Sequence, residues 1–93
     1  MNIKFNNKEK EAQAFDKENQ KIGYCQFEKE DGKWIITHTV VDDGHQGEGI
    51  AGKLLDNVCE NARKENVKII PVCSYAVKKF DENPEKYGDL DAR

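Results

Sequence analysis

The chain predicts an α+β fold: a mixed sheet in which an antiparallel meander leads into a strand-helix-strand parallel crossover and a short C-terminal helix. Three patterns lead there. Short apolar alternations fill the stretch up to Val41, an apolar stripe at helical spacing follows from Ile50, and a branched apolar run follows that. A helical pattern set between two strands implies a crossover that returns the second strand parallel to the first.

The elements follow in order. Between Asn2 and Asn6, Ile3 and Phe5 alternate with polar residues, and Glu11 to Phe15 alternates again, bounded by Asn6-Asn7 and by Asp16 to Asn19. These read as two tightly joined strands. Lys21 to Glu30 carries Ile22, Tyr24, Cys25 and Phe27, and Asp31-Gly32 is a hairpin signal. Lys33 to Val41, rich in Trp, Ile, Thr and Val, completes that hairpin. From Gly47 to about Glu65, Ile50, Ala51, Leu54, Leu55, Val58, Cys59 and Ala62 repeat at three and four, with charged residues on the other side. This predicts an amphipathic helix laid over the sheet. Val67 to Cys73 reads as a strand buried on both faces, within which Pro71 removes a ladder donor and marks an edge or a break in pairing. Ser74 is placed to cap a second helix through about Phe80, stopped by Asn83-Pro84. The acidic tail from Tyr87 reads as frayed.

Composition narrows the function classes. Ninety-three residues, 35% charged and 37% hydrophobic, are read as one domain (1–93) with a thin core under a solvated surface. The net charge of −3, from 15 basic and 18 acidic residues, favours neither nucleic acid nor an anionic membrane as a partner. No apolar run approaches membrane-spanning length, and the start lacks a signal-peptide core. Cys25, Cys59 and Cys73 are widely spaced, with no C-x-x-C pair, so neither a disulfide framework nor a metal site is expected. The expected location is cytoplasmic.

The informative stretch is His45 to Leu55, where Gly47, Gly49 and Gly52 sit where a strand turns into a helix. Free backbone N–H groups and the positive end of a helix dipole converge at such a turn, and glycines admit a phosphate close to the backbone. The bland reading is a flexible turn. Gly47 to Gly52 spells G-x-G-x-x-G, but the antiparallel strands before it and the Cys73-Ser74 end of the next strand do not fit a dinucleotide fold. Lys53 precedes Leu54 rather than Ser or Thr, so a Walker phosphate loop does not fit either.

Gln46-Gly47-Glu48-Gly49-Ile50-Ala51 resembles the Q/R-x-x-G-x-G/A signature of the GNAT superfamily of acetyl-CoA-dependent N-acetyltransferases, in the same strand-to-helix context. The resemblance covers almost the whole chain, through the order of meander, central helix, parallel strand and short helix. It is closest to a small single-domain branch with a His-Thr pair before the turn, here His38-Thr39, and a Cys-x-Tyr after the next strand, here Cys73-Ser74-Tyr75. By that resemblance the backbone of Gln46, Gly47, Glu48, Gly49, Ile50, Ala51 and Gly52 holds the pyrophosphate of acetyl-CoA, the cosubstrate. It also implies that the strand edge from His38 through Thr39, Val40 and Val41 pairs with the pantetheine arm, as any extended amide chain adds to a strand.

Acetyl transfer needs a neutral amine, donors for the developing oxyanion and a fate for the leaving thiolate. Alignment of Ala76 on the family's alanine puts Phe80 where the family's acidic tyrosine stands, so that role is not filled in the usual way. Tyr75 offers a hydroxyl from another direction, or is a core residue with its O–H at the surface. Cys73, at a strand end and a helix start, is a candidate to take the acetyl group or position the thioester, since helix N-termini favour thiolates; it reads equally as a small buried hydrophobe. His38 alternates with Trp34, Ile36 and Val40, which makes it either a core histidine or a general base. His45, in the loop before the glycines, reads as a cap or a phosphate contact rather than a catalytic group.

Only Asn6 to Glu11 separates the first two strands, where the family usually carries helices that build the acceptor site. That favours a protein or peptide amine as acceptor; Asp42 and Asp43 would suit a cationic one, or are simply a solvated loop. A non-catalytic acetyl-CoA-binding module, acting as carrier, sensor or partner subunit, is the competing expectation.

Overall fold

The computed structural model describes all residues from Met1 to Arg93. Five strands, β1 (Asn2–Asn6), β2 (Glu11–Phe15), β3 (Lys21–Glu30), β4 (Lys33–Val41) and β5 (Lys68–Pro71), form one sheet in chain order. The first four are antiparallel, and β5 returns parallel to β4. A two-residue turn closes the β3–β4 hairpin, with positive φ at both Asp31 and Gly32, the backbone twist that such a turn requires.

Helix α1 (Ile50–Lys64) buries Ile50, Leu54, Leu55, Val58, Cys59 and Ala62, the stripe its spacing predicts. Each fully buried leucine contributes on the order of 2 kcal/mol to stability. The stripe lies over β1 to β5 and forms one core with Ala12, Ala14, Cys25, Phe27, Trp34, Ile36 and Ile69. Phe5, Phe27 and Trp34 extend that core as a stack, with the Phe27 and Trp34 rings 4.2 Å apart. No helix is long and apolar enough to cross a membrane.

After β5 come α2 (Ser74–Glu82) and α3 (Pro84–Tyr87). They lie on the same face of the sheet as α1. The Tyr87 hydroxyl donates to Asp56 at 2.8 Å, and Arg63 pairs with Asp89 at 2.9 Å. The opposite face carries Lys4, Glu28, His38, Val40 and Lys68, all exposed, so helices cover one side of the sheet only.

Three expectations are corrected. β5 is buried on one face, at Ile69, while Ile70 is half-buried and Val72 is 57% exposed, because no layer covers the far side. Cys73, rather than Ser74, caps α2, its sulfur accepting from the Ala76 N–H at 3.4 Å. The tail is docked, with Tyr87 and Leu90 buried. Ile69 donates to the Leu90 carbonyl at 2.7 Å and accepts from Ala92 at 2.8 Å, so the tail caps the outer edge of β5.

Candidate functional site

Two local facts open a gap in the sheet. β4 and β5 pair only from Lys33/Lys68 to Ile36/Pro71, and there Pro71 ends the strand. The next two amides, Val72 and Cys73, both donate to the Ile36 carbonyl at 3.0 Å, which turns the chain away into α2. β4 continues to Val41 paired with β3 alone, so its other edge from Thr37 onward has no strand partner. Pro71 marks the break in pairing, as its missing N–H predicts.

Above this gap the chain makes a single 3-10 turn (Asp43–His45) and passes through Gly47 and Gly49 at φ of 85° and 77°. A Cβ at either glycine would meet nothing within 4 Å, so it is the left-handed backbone, not space, that selects glycine there. Gly49 is the N-terminal flank of α1, and no side chain caps that end. The first backbone bond runs from Lys53 N–H to the Gly49 carbonyl, and no group accepts from the backbone N–H of Gln46 through Gly52, while the Gln46 side-chain amide donates to the Val41 carbonyl at 3.4 Å. These backbone N–H groups form a row of free donors at the positive end of a 15-residue helix.

Cys73 lies at the apex of the gap. Its sulfur is 3.5 Å from the Thr39 hydroxyl, which stands at the same distance from the Cys25 sulfur. Thr39 faces Cys25 because the hairpin register pairs them. Burial pushes the Cys25 thiol up to about 12, and it stays protonated at neutral pH. Tyr75, on the first turn of α2, directs its hydroxyl toward α1, 3.5 Å from where a Cβ on Gly52 would sit. Burial first, and then the negative charge of Asp56, raise its pKa, so the phenol keeps its proton.

His38 is not part of this cluster. Thr37 is an extra residue in β4: Gln26 pairs with His38 but the next residue, Phe27, pairs with Ile36. That bulge breaks the alternation, so Thr39 takes the helix-covered face with Ile36 and Trp34, and His38 turns outward with Val40. The expectation that His38 shares the face of Trp34 and Ile36 is corrected accordingly. Its ring is exposed, with Nδ1 3.1 Å from the Thr37 hydroxyl. His45 lies at the glycine turn, Nδ1 3.6 Å from a Glu48 carboxylate oxygen. Phe80 is buried and stacked on Tyr87 with ring centres 4.7 Å apart, and takes no part in the gap.

The Thr39 side chain, linking two sulfurs, is the feature that sequence reasoning missed. Its signal was present in the hairpin register but hidden by the bulge at Thr37.

A sheet opened between two parallel strands, with a free-amide glycine turn leading into the helix that crosses them, is the architecture of the N-acetyltransferase class. Residues 11–90 match the family model of GCN5-related N-acetyltransferases, and the chain belongs to that GNAT family. Among solved structures it is similar to a GCN5-like candidate N-acetyltransferase from Staphylococcus aureus, with 32% identity and a TM-score of 0.75 over 97% of this chain and 86% of that one. It also resembles a predicted acetyltransferase from Clostridium acetobutylicum solved with acetyl-CoA, with 26% identity and a TM-score of 0.59, covering 75% of this chain and 55% of that one. A GNAT family N-acetyltransferase from Escherichia coli in complex with CoA shares the fold at 18% identity and a TM-score of 0.62, over 86% of this chain and 43% of that one. A search among curated proteins returns no match.

Proposed function

We propose that this protein binds acetyl-CoA and transfers its acetyl group to an amine, with Cys73 as the group that meets the thioester. The observation that carries the reading is one continuous path. It runs from the free amides of Gln46 to Gly52, along the unpaired edge of Thr39, Val40 and Val41, to the Cys73 sulfur. The turn suits a pyrophosphate, the strand edge suits the amides of pantetheine, and the apex suits the thioester.

Transfer through Cys73 proceeds by two exchanges. The Cys73 thiolate attacks the acetyl carbonyl carbon, a new C–S bond forms, and the bond to CoA sulfur breaks to release CoA thiolate. A neutral amine then attacks the acetyl-cysteine, the C–S bond breaks, and the amine proton passes to the departing Cys73 sulfur. Tyr75, kept protonated, is the nearby phenol to hydrogen-bond a developing charge. His38, on the far side of the gap, is read as a base for an amine arriving from the uncovered face. That open face favours a protein or peptide amine over an enclosed small molecule. Three free thiols fit a reducing, cytoplasmic setting.

The buried Phe80, at the position where the family carries an acidic tyrosine, favours a second reading: an acetyl-CoA-binding module without fast turnover. Turnover on a lysine-peptide library separates the two.

Calorimetric titration of the reduced protein with acetyl-CoA, beside NAD and ATP, tests the binding half. Saturation by acetyl-CoA alone, lost in Gly49→Glu, is the expected result. Absence of binding by the folded wild-type protein would overturn both readings.

A further inference from the structure

Thr39 has one hydroxyl hydrogen and two sulfur neighbours, Cys25 and Cys73, each at 3.5 Å. One hydrogen serves one of them at a time. While Cys73 is a thiol it has an S–H of its own to offer the Thr39 oxygen, and the Thr39 hydrogen is then free for the Cys25 sulfur. Once Cys73 is a thiolate it has no hydrogen to give, and the stronger acceptor is now on the other side. The Cys25 thiol, fully buried and held protonated by that burial, is a neutral acceptor that releases the hydrogen at little cost.

We propose that Thr39 is a positioning residue for the acetyl transfer: its hydroxyl hydrogen turns from Cys25 to Cys73 when Cys73 ionises, so that the thiolate is held between the Thr39 O–H and the Ala76 N–H. The Ala76 amide already points at the sulfur, at 3.4 Å from the first turn of α2. Hydroxyl and amide approach from different elements, β4 and α2, and fix the sulfur at the apex of the gap where the two diverge. The proton lost by Cys73 goes to solvent, and Thr39 keeps its own. Cys25 is the resting partner that keeps the hydroxyl satisfied between turnovers. The inference rests on the reading of Cys73 as the reacting thiol, but it concerns a property that exists without acetyl-CoA.

The test is the rate of carboxamidomethylation of Cys73 by iodoacetamide in the reduced, folded protein at neutral pH, followed by mass spectrometry of the Cys73 peptide. Thr39→Val keeps the shape of the side chain and removes the hydroxyl. Loss of one hydrogen bond to a charged acceptor lowers the population of the charged form by about tenfold. A less stabilised thiolate is a better nucleophile, which returns part of that factor, so the net slowing expected is about threefold. Thr39→Ser should restore the rate to within about twofold. Cys25→Ala, which removes the competing acceptor, should react at the wild-type rate or faster. A Thr39→Val protein that reacts as fast as wild type, or a Thr39→Ser protein as slow as Thr39→Val, would overturn the proposal. So would a slower Cys25→Ala, which also decides the matter if Thr39→Val does not fold. None of these outcomes depends on acetyl-CoA binding, so failure here and failure of the transferase reading are separately visible.

Discussion

Gly23 shows how closely the wall of the gap is built. A Cβ there would lie 2.9 Å from the Val40 carbonyl oxygen and 3.4 Å from a Leu54 methyl, in a strand whose Gly23 pairs with Val41. The carbonyl belongs to the sheet and does not yield as a side-chain tip would. Gly23→Ala is expected to cost about 1–3 kcal/mol by overpacking, read as a lower urea midpoint at unchanged slope. Because Val40 and Val41 line the unpaired edge, acetyl-CoA binding should weaken as well; an unchanged midpoint would mean that the backbone there is free to shift. Nothing in the sequence announced this glycine, since it sits inside an apolar alternation rather than at a turn. The positions of Cys73 and Tyr75 in the fold, just past β5 and at the start of α2, are legible because they follow directly on a recognisable strand end. His38 was misread for a defined reason: strict alternation from Trp34 through Ile36 to His38 assumes no inserted residue, and a one-residue bulge at Thr37 reverses every side chain beyond it.

Among the elements, α1 and the β3–β4 hairpin were readable because their signals are local, a stripe at helical spacing and an Asp-Gly turn. The tail was not, because its structure comes from partners far along the chain. Asp56 on α1 receives the Tyr87 hydroxyl and the Lys86 ammonium, and Ile69 takes its outer hydrogen bonds from Leu90 and Ala92. Charge and composition report none of this. The tail does for β5 what a sixth strand would do, covering an edge that would otherwise offer free backbone groups. Leu90 is 3% exposed and anchors it. Leu90→Ala is therefore expected to cost about 2–4 kcal/mol, toward the lower end if the surface position lets the cavity collapse. Amide exchange should rise first at Ile69 and Ala92, whose bonds the tail makes. If those amides kept their protection while the global stability fell, the tail would be anchored through α3 and Asp56 instead.

The molecule as a whole is a two-layer body, 18 Å across its thinnest direction, whose one core holds two fully buried thiols. Burial pushes Cys25 and Cys59 each up to about 12; for Cys59, Arg63 partly opposes the shift. An unfolded chain ionises its thiols near pH 8.5. Below that value both states hold these protons and the thiols add no pH dependence. Above it the unfolded state sheds them while the folded state keeps them, so stability falls as pH rises, until about pH 12. Each thiol contributes a slope approaching about 1.4 kcal/mol per pH unit. Tyr87, whose pKa is raised by burial and by its bond to Asp56, adds to the fall only above about pH 10, where an unfolded tyrosine begins to ionise. Urea unfolding under reducing conditions should thus give a flat profile from pH 7 to 8, and a slope approaching about 2.7 kcal/mol per unit between pH 9 and 10. The Cys25→Ala/Cys59→Ala double variant, less stable at neutral pH, should lose most of that slope. A double variant that declined as steeply as wild type would show that the alkaline loss arises elsewhere, and that the two sulfurs are more open to water than a core beneath α1 allows.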